Sequence, residues 1–235
     1  DAALSGIIPH LQKCIRERGH LRQFALPIIC DLAHTSSTSR AELHAKGGVR
    51  FFLTLLSENY WKIPALNSLA IWMVEDTTTV EEELVQTGAA AALVSFFRRV
   101  SPKELENILE PLNDMMSKSA ALSRVLCSST EFIESAVSRL GLPKAIIRIN
   151  LLQILRLGLR QDSHPNRTIR YHDLATRVRS LTLDESQVLV AELATQFLSE
   201  IEQVAEVCEP LSATIDGAEL GAAGSGGGGG SAHKS

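Results

Sequence analysis

The chain has 235 residues, 45% hydrophobic and 5% aromatic, with 23 basic and 27 acidic side chains for a net charge of −4. That is enough apolar material for one or two packed domains, and the acidic balance argues against a general nucleic-acid binder. No apolar run reaches the roughly 18 residues a membrane span needs, and the opening Asp-Ala-Ala-Leu-Ser-Gly lacks the basic start and apolar stretch of a signal peptide, so a soluble, cytoplasmic protein is expected.

Along the chain one apolar triplet, at positions a, a+3 and a+4, returns five times. It reads Leu11, Cys14, Ile15; Phe52, Leu55, Leu56; Leu93, Phe96, Phe97; Ile133, Ala136, Val137; and Leu174, Arg177, Val178, the last with one polar member. The steps between first members are 41, 41, 40 and 41 residues. A helical repeat of this length defines a solenoid in which each unit completes its neighbour's core. Short helices should precede the triplets, opened by the capping boxes Ser39-Arg-Ala-Glu42 and Thr78-Thr-Val-Glu81. Glycines at Gly47-Gly48 and Gly88 allow sharp reversals into the triplet helices. Long helices are expected to follow the triplets, near 20–34, 61–75, 102–117, 144–160 and 184–206. The third is opened by Ser101-Pro102-Lys-Glu104 and the last by Thr182-Leu-Asp-Glu185. Pro27 and Pro111 are expected to bend or interrupt their helices.

Three helices per unit is the armadillo arrangement; two would be the HEAT arrangement. The expected fold is therefore an all-α, armadillo-like α-solenoid of about five repeats spanning 1–206. Residues 207–235, acidic and then Gly/Ser-rich, read as a disordered tail or linker.

Chemistry is hard to find in the pattern. Neither phosphate-binding glycine motif is present, nor Gly-x-Ser-x-Gly, nor His-Glu-x-x-His. The four cysteines, at 14, 30, 127 and 208, have no zinc-like spacing and read as small buried hydrophobes. Cys30 and His34 are one helical turn apart, but a thiol–imidazole pair needs a third orienting group to act as a nucleophile. Glu81-Glu82-Glu83 reads as a solvated first turn rather than a metal cluster. No catalytic residue, cofactor, metal or small-molecule substrate is expected.

Charge is distributed unevenly. Residues 139–180 hold nine basic against two acidic side chains, a net of +7, while 181–220 hold nine acidic and no basic ones. Either the last helix packs beside the basic unit and the two fields cancel, or the block docks an acidic or phosphorylated peptide or an anionic surface. Arg148, Arg156, Arg160, Arg167 and Arg170 are its candidate contacts. The third helices of armadillo folds line a groove, so positions there that miss the apolar stripe are further candidates: Asp31, Asn67, Ile71, Asn113 and Gln153. Tyr60 and Trp61 are candidate aromatic anchors. A nuclear-import-type receptor is disfavoured, because the Trp-x-x-x-Asn ladder of such receptors is missing.

The stretch Ser39-Arg-Ala-Glu-Leu-His-Ala-Lys-Gly-Gly-Val-Arg-Phe-Phe-Leu-Thr-Leu-Leu-Ser57 leads into Glu58-Asn-Tyr-Trp-Lys-Ile-Pro-Ala-Leu-Asn-Ser-Leu-Ala-Ile-Trp72, then Glu75-Asp76 and Val80-Glu81. This resembles the C-terminal armadillo-like region of the fungal septation-network Ser/Thr protein kinases and their relatives, the plant mitogen-activated-protein kinase kinase kinase epsilon group. The resemblance is strongest over 29–97. It implies a non-catalytic, regulatory module of a cytokinesis and mitotic-exit kinase. The implied partners are a small Ras-like GTPase, a spindle-pole-body scaffold or another copy of the kinase, met at the spindle pole body and division site. The kinase glycine loop, His-Arg-Asp and Asp-Phe-Gly are all missing from this chain, so no catalytic role carries over.

Overall fold

The computed structural model describes residues 6–17, 19–184 and 186–208. They form fourteen helices and no strand. The first unit contributes α1 (Ile7–Arg16) and α2 (Arg22–Thr35). The second has α3 (Ser37–Ala45), α4 (Gly48–Leu55) and α5 (Lys62–Glu75). The third has α6 (Thr77–Leu84), α7 (Thr87–Arg99) and α8 (Pro102–Lys118). The fourth has α9 (Ala120–Cys127), α10 (Thr130–Arg139) and α11 (Ala145–Gln161). The fifth has α12 (Pro165–Tyr171), α13 (Leu174–Thr182) and α14 (Val188–Cys208). The triplets fall on α1, α4, α7, α10 and α13, with Leu56 at the C-cap of α4. All members are buried except Cys14, half-buried, and Arg177, exposed.

Long helices of successive units pack side by side, α2 on α5, α5 on α8, α8 on α11 and α11 on α14; α4, α7 and α10 form a second row. The result is an all-α, solenoid-like stack with one continuous apolar core between its rows. Shared aromatic packing shows how units join. Phe97 of the third unit meets Phe132 of the fourth at 4.7 Å between ring centroids. Arg139 lies 4.7 Å over the Phe97 ring and donates to the carbonyls of Phe97, Arg98 and Val100 at 2.8, 3.0 and 3.1 Å. One guanidinium thereby satisfies the unpaired carbonyls at the end of α7.

Reversal into the middle helix is made by a left-handed residue in three units: Gly6 (φ 76°), Gly47 (φ 67°) and Asp173 (φ 50°). At Gly48 the constraint is space, since a Cβ there would stand 2.5 Å from Leu43 Cγ and 2.7 Å from its carbonyl oxygen.

Several local expectations shift. Ser36 and Asp76 cap α3 and α6, accepting from Ser39 N and Thr79 N, so the helices begin two to three residues before the boxes placed at Ser39 and Thr78. The Ser101 box holds, with Ser101 N donating to Glu104 Oε2 at 3.3 Å and Pro102 at the first helical position. Thr182 closes α13 rather than opening α14, which starts at Val188; Glu185 lies outside the described residues. Neither Pro27 nor Pro111 interrupts its helix. Leu26, Ile29 and Cys30, and likewise Ile108, Leu109 and Leu112, are buried around them, and that packing outweighs one lost backbone hydrogen bond. The tail expected from 207 lies outside the described residues, save for the last two positions of α14.

Candidate functional site

Ion pairs tie each unit to the next at roughly one repeat's separation. Arg22 meets Glu58 at 3.2 Å, Lys62 meets Glu104 at 2.9 Å and Arg98 meets Glu131 at 3.2 Å, while Arg40 meets Glu75 at 3.5 Å within the second unit. Lys62 and Ser101 hold the Glu104 carboxyl below its usual range. The acidic run is part of this system. Glu83 takes Arg50 at 3.0 Å, and Glu81 accepts from the Ser119 hydroxyl. Because α6 starts at Thr77, these glutamates sit in its second half and staple neighbours; they do not form a solvated first turn.

The basic block is largely consumed in the same way. Arg148 donates to the Leu140 and Leu142 carbonyls at 3.2 and 2.7 Å and to Asp184 at 2.7 Å. Arg156 and Arg160 converge on Glu200 Oε1 at 2.5 and 2.8 Å. Lys144 meets Glu106 at 2.6 Å and Arg179 meets Glu202 at 3.2 Å. Burial pushes the Glu200 carboxyl up, but the two guanidiniums more than offset it and hold it below the usual range. Arg167, Arg170 and Arg177 are exposed and make no ion pair among the described residues.

An open groove of about 730 Å³ crosses three long helices, lined by Ile63, Asn67, Ile71 and Val74 of α5, by Glu106, Glu110 and Asp114 of α8, and by Ile146 of α11. Ile71, Val74 and Ile146 are 39%, 42% and 45% exposed, so its floor carries solvent-facing apolar surface. Its α8 wall is acidic. Asn67 Oδ1 is buried there without a hydrogen-bond partner. Of the expected contacts, Asn67 and Ile71 line this groove. Asn113 Nδ2 donates to Gln153 Oε1 at 2.6 Å, bridging α8 to α11. Asp31 is exposed on α2. Tyr60 is exposed with its ring edge on Trp61 at 4.8 Å, while Trp61 packs against the core under the Arg22 guanidinium. Those two anchors precede α5 and are not among the groove's lining residues.

Residues outside the expected set are Val74 and Ile146 in the groove, and Leu21, Phe24 and Ile28, exposed at helical spacing along the start of α2. The signal for them was present. Each is an apolar side chain one step off its helix's buried stripe, a position normally polar.

Nothing in this surface suits nucleophilic chemistry. The Cys127 thiol is pushed up to about 12 by burial and by Asp162, and burial raises that of Cys30, so both are protonated at neutral pH. Among the described residues there is no group of metal-ligating side chains that could hold an ion, and no helix is long and apolar enough to cross a membrane.

The described residues thus form an all-α, solenoid-like stack with an open apolar groove and many of its charges paired between neighbouring helices. No protein-family model matches the chain. Individual relatives do. It is 34% identical over 207 residues to "MAP3K epsilon protein kinase 1" of Arabidopsis thaliana, covering 84% of this chain and 15% of that protein. It is 34% identical over 212 residues to "Cytokinesis protein sepH" of Emericella nidulans, covering 86% and 15%. "Cell division control protein 7" of Schizosaccharomyces pombe is 26% identical over 200 residues, covering 84% and 19%. The resemblance expected to be strongest over 29–97 and looser from 98 to about 206 holds over most of the chain, which spans about 15% of the length of the first of these relatives. The crystal structure of an engineered protein superposes with a TM-score of 0.63 at 14% identity, over 83% of this chain and 78% of that one. That likeness shows the fold alone.

Proposed function

We propose that this chain is the non-catalytic, regulatory interaction module of a cytokinesis kinase, an armadillo-type solenoid over 1–206 that docks a small Ras-like GTPase or a spindle-pole-body scaffold. The similarity to a limited stretch of cytokinesis and MAP3K epsilon kinases supports the first half of this reading. The observation that carries the second is the α5–α8–α11 groove, where three apolar side chains face solvent beside an acidic wall. Apolar surface gathered in a concavity is what a partner buries for affinity, and a polar rim sets its orientation. Glu110 and Asp114, which make no ion pair among the described residues, favour a partner segment with basic residues flanking apolar anchors, while Glu106 is held by Lys144. In this reading Arg148, Arg156 and Arg160 serve cohesion rather than docking.

The test is affinity of the chain for the GTP-loaded and GDP-loaded GTPase, repeated with Ile71→Asp and Ile146→Asp. GTP-dependent binding that falls about tenfold or more in both variants supports docking in the groove. Binding indifferent to both variants removes it, and no binding of either nucleotide form leaves the scaffold as the partner to be measured in the same way.

A further inference from the structure

We infer that a second site, separate from the groove, receives a phosphate monoester carried on a serine or threonine of a partner protein. It is a cavity of about 530 Å³ where the end of α9, the start of α10 and the loop from α11 into α12 converge, and it shares no lining residue with the groove. Its walls bring together Arg124 from α9, Thr130 from α10, and His164, Arg167, Tyr171 and His172 around α12. Two features support the assignment.

The first is that its arginines are unspent. Most arginines of the fourth and fifth units are bound to a carboxylate or to carbonyls, whereas the Arg124 and Arg167 side chains make no hydrogen bond or ion pair among the described residues. The second is that the one carboxylate in the cavity is already satisfied. Asp162 Oδ1 accepts from His164 N at 2.8 Å and Oδ2 accepts from the Thr168 hydroxyl. Two guanidiniums and the Thr130 hydroxyl therefore face this space with donors to offer, while Asp162 already takes one donor on each oxygen and His172, its pKa lowered by burial, stands as a neutral imidazole with one N–H to give. A phosphate dianion presents three acceptor oxygens to such a set.

The shape selects a protein-borne phosphate over an anionic bilayer. The donors line a recess, which suits one projecting group rather than a flat headgroup layer. Tyr171, 72% exposed at the rim with its ring edge on His172 at 4.9 Å, offers an aromatic face to the segment flanking the phosphate. This site was only half visible in the sequence: Arg167 belongs to the basic block, but Arg124 lies 43 residues away and is brought to the same cavity only by the packing of α9 against α11 and of α12 against α11.

The experiment is titration calorimetry of the 235-residue chain with a short peptide carrying one phosphothreonine, the same peptide unphosphorylated, and phosphatidylserine vesicles. Variants are Arg124→Glu, Arg167→Gln and, as a control in the second unit, Arg50→Ala. The inference expects binding of the phosphopeptide only, weakened about tenfold or more by either pocket variant and unchanged by the control. Both pocket residues are exposed, and circular dichroism of each variant is the check that it keeps the helical content of the parent chain. Equal binding of the two peptides, phosphopeptide binding that survives both pocket variants, or binding to vesicles but not to the phosphopeptide would each overturn it. Loss of GTPase docking in the groove variants leaves this result untouched, so the two readings fail separately.

Discussion

The ladder of long helices is finished differently at its centre and at its last step. Between α5, α8 and α11 it is open, with Ile71, Val74 and Ile146 facing solvent and an acidic wall beside them. Between α11 and α14 it is closed, because Glu200 draws in Arg156 and Arg160 and Asp184 draws in Arg148. Both regions stand on the same apolar layer. The difference lies in where α14 and the segment before it put their carboxylates, and it teaches that a dense run of like charge can be internal cement. Surface free to bind is found where charges keep no internal partner or apolar side chains miss the core.

The widest test of the shared layer is truncation beneath each region. Leu69→Ala under the groove and Phe197→Ala under the closed step, both fully buried, should each cost about 3–5 kcal/mol in urea unfolding. A cost below 1 kcal/mol at either site would mean that the regions differ in core as well as in surface. Next comes α11, which belongs to both. Gly158→Ala would set a Cβ 2.2 Å from Cys127 Sγ and should destabilise by about 1–3 kcal/mol, read from the same unfolding curves; Cys127→Ala in the same chain should recover part of it.

Glu200→Gln probes the closure itself. Arg156 keeps 18% of its side chain exposed and Arg160 keeps 56%, so the loss should be about 1–2 kcal/mol, between the worth of surface pairs and buried ones. The Glu200 carboxyl is held low when folded. Its contribution is therefore present above the unfolded carboxyl value of about 4.3 and fades as pH falls through the folded value. The gap between wild type and Glu200→Gln should shrink along that path, and a gap independent of pH would remove the ion pair as its cause. The smallest effect belongs to the groove. Val74→Ser should change stability by no more than about 0.5 kcal/mol, and a larger loss would show that the groove floor is core.

The middle and long helices could be read from spacing because burial repeats every three to four residues, and it repeats whatever the neighbours are. Leu93, Phe96 and Phe97 announce their helix without reference to anything distant. The cap positions at Ser36 and Asp76 were displaced because several hydroxyl and carboxylate residues in a row can each open a helix, and packing of the turn chooses among them. Asn67 and Ile71 were marked as groove positions by their offset from the stripe. Arg156 and Arg160 carried the same mark, yet Glu200, 44 and 40 residues on, had already claimed them.

By itself, then, the sequence determined the all-α class, the forty-residue period and the three-helix unit, all of which follow from periodic burial along a single chain. Tertiary structure alone decided which charges cancel, which apolar side chains stay in solvent, and that Arg124 and Arg167 line one cavity. Those outcomes depend on distances between units, and a Coulomb or hydrogen-bonding partner one repeat away leaves no local trace in the residues beside it.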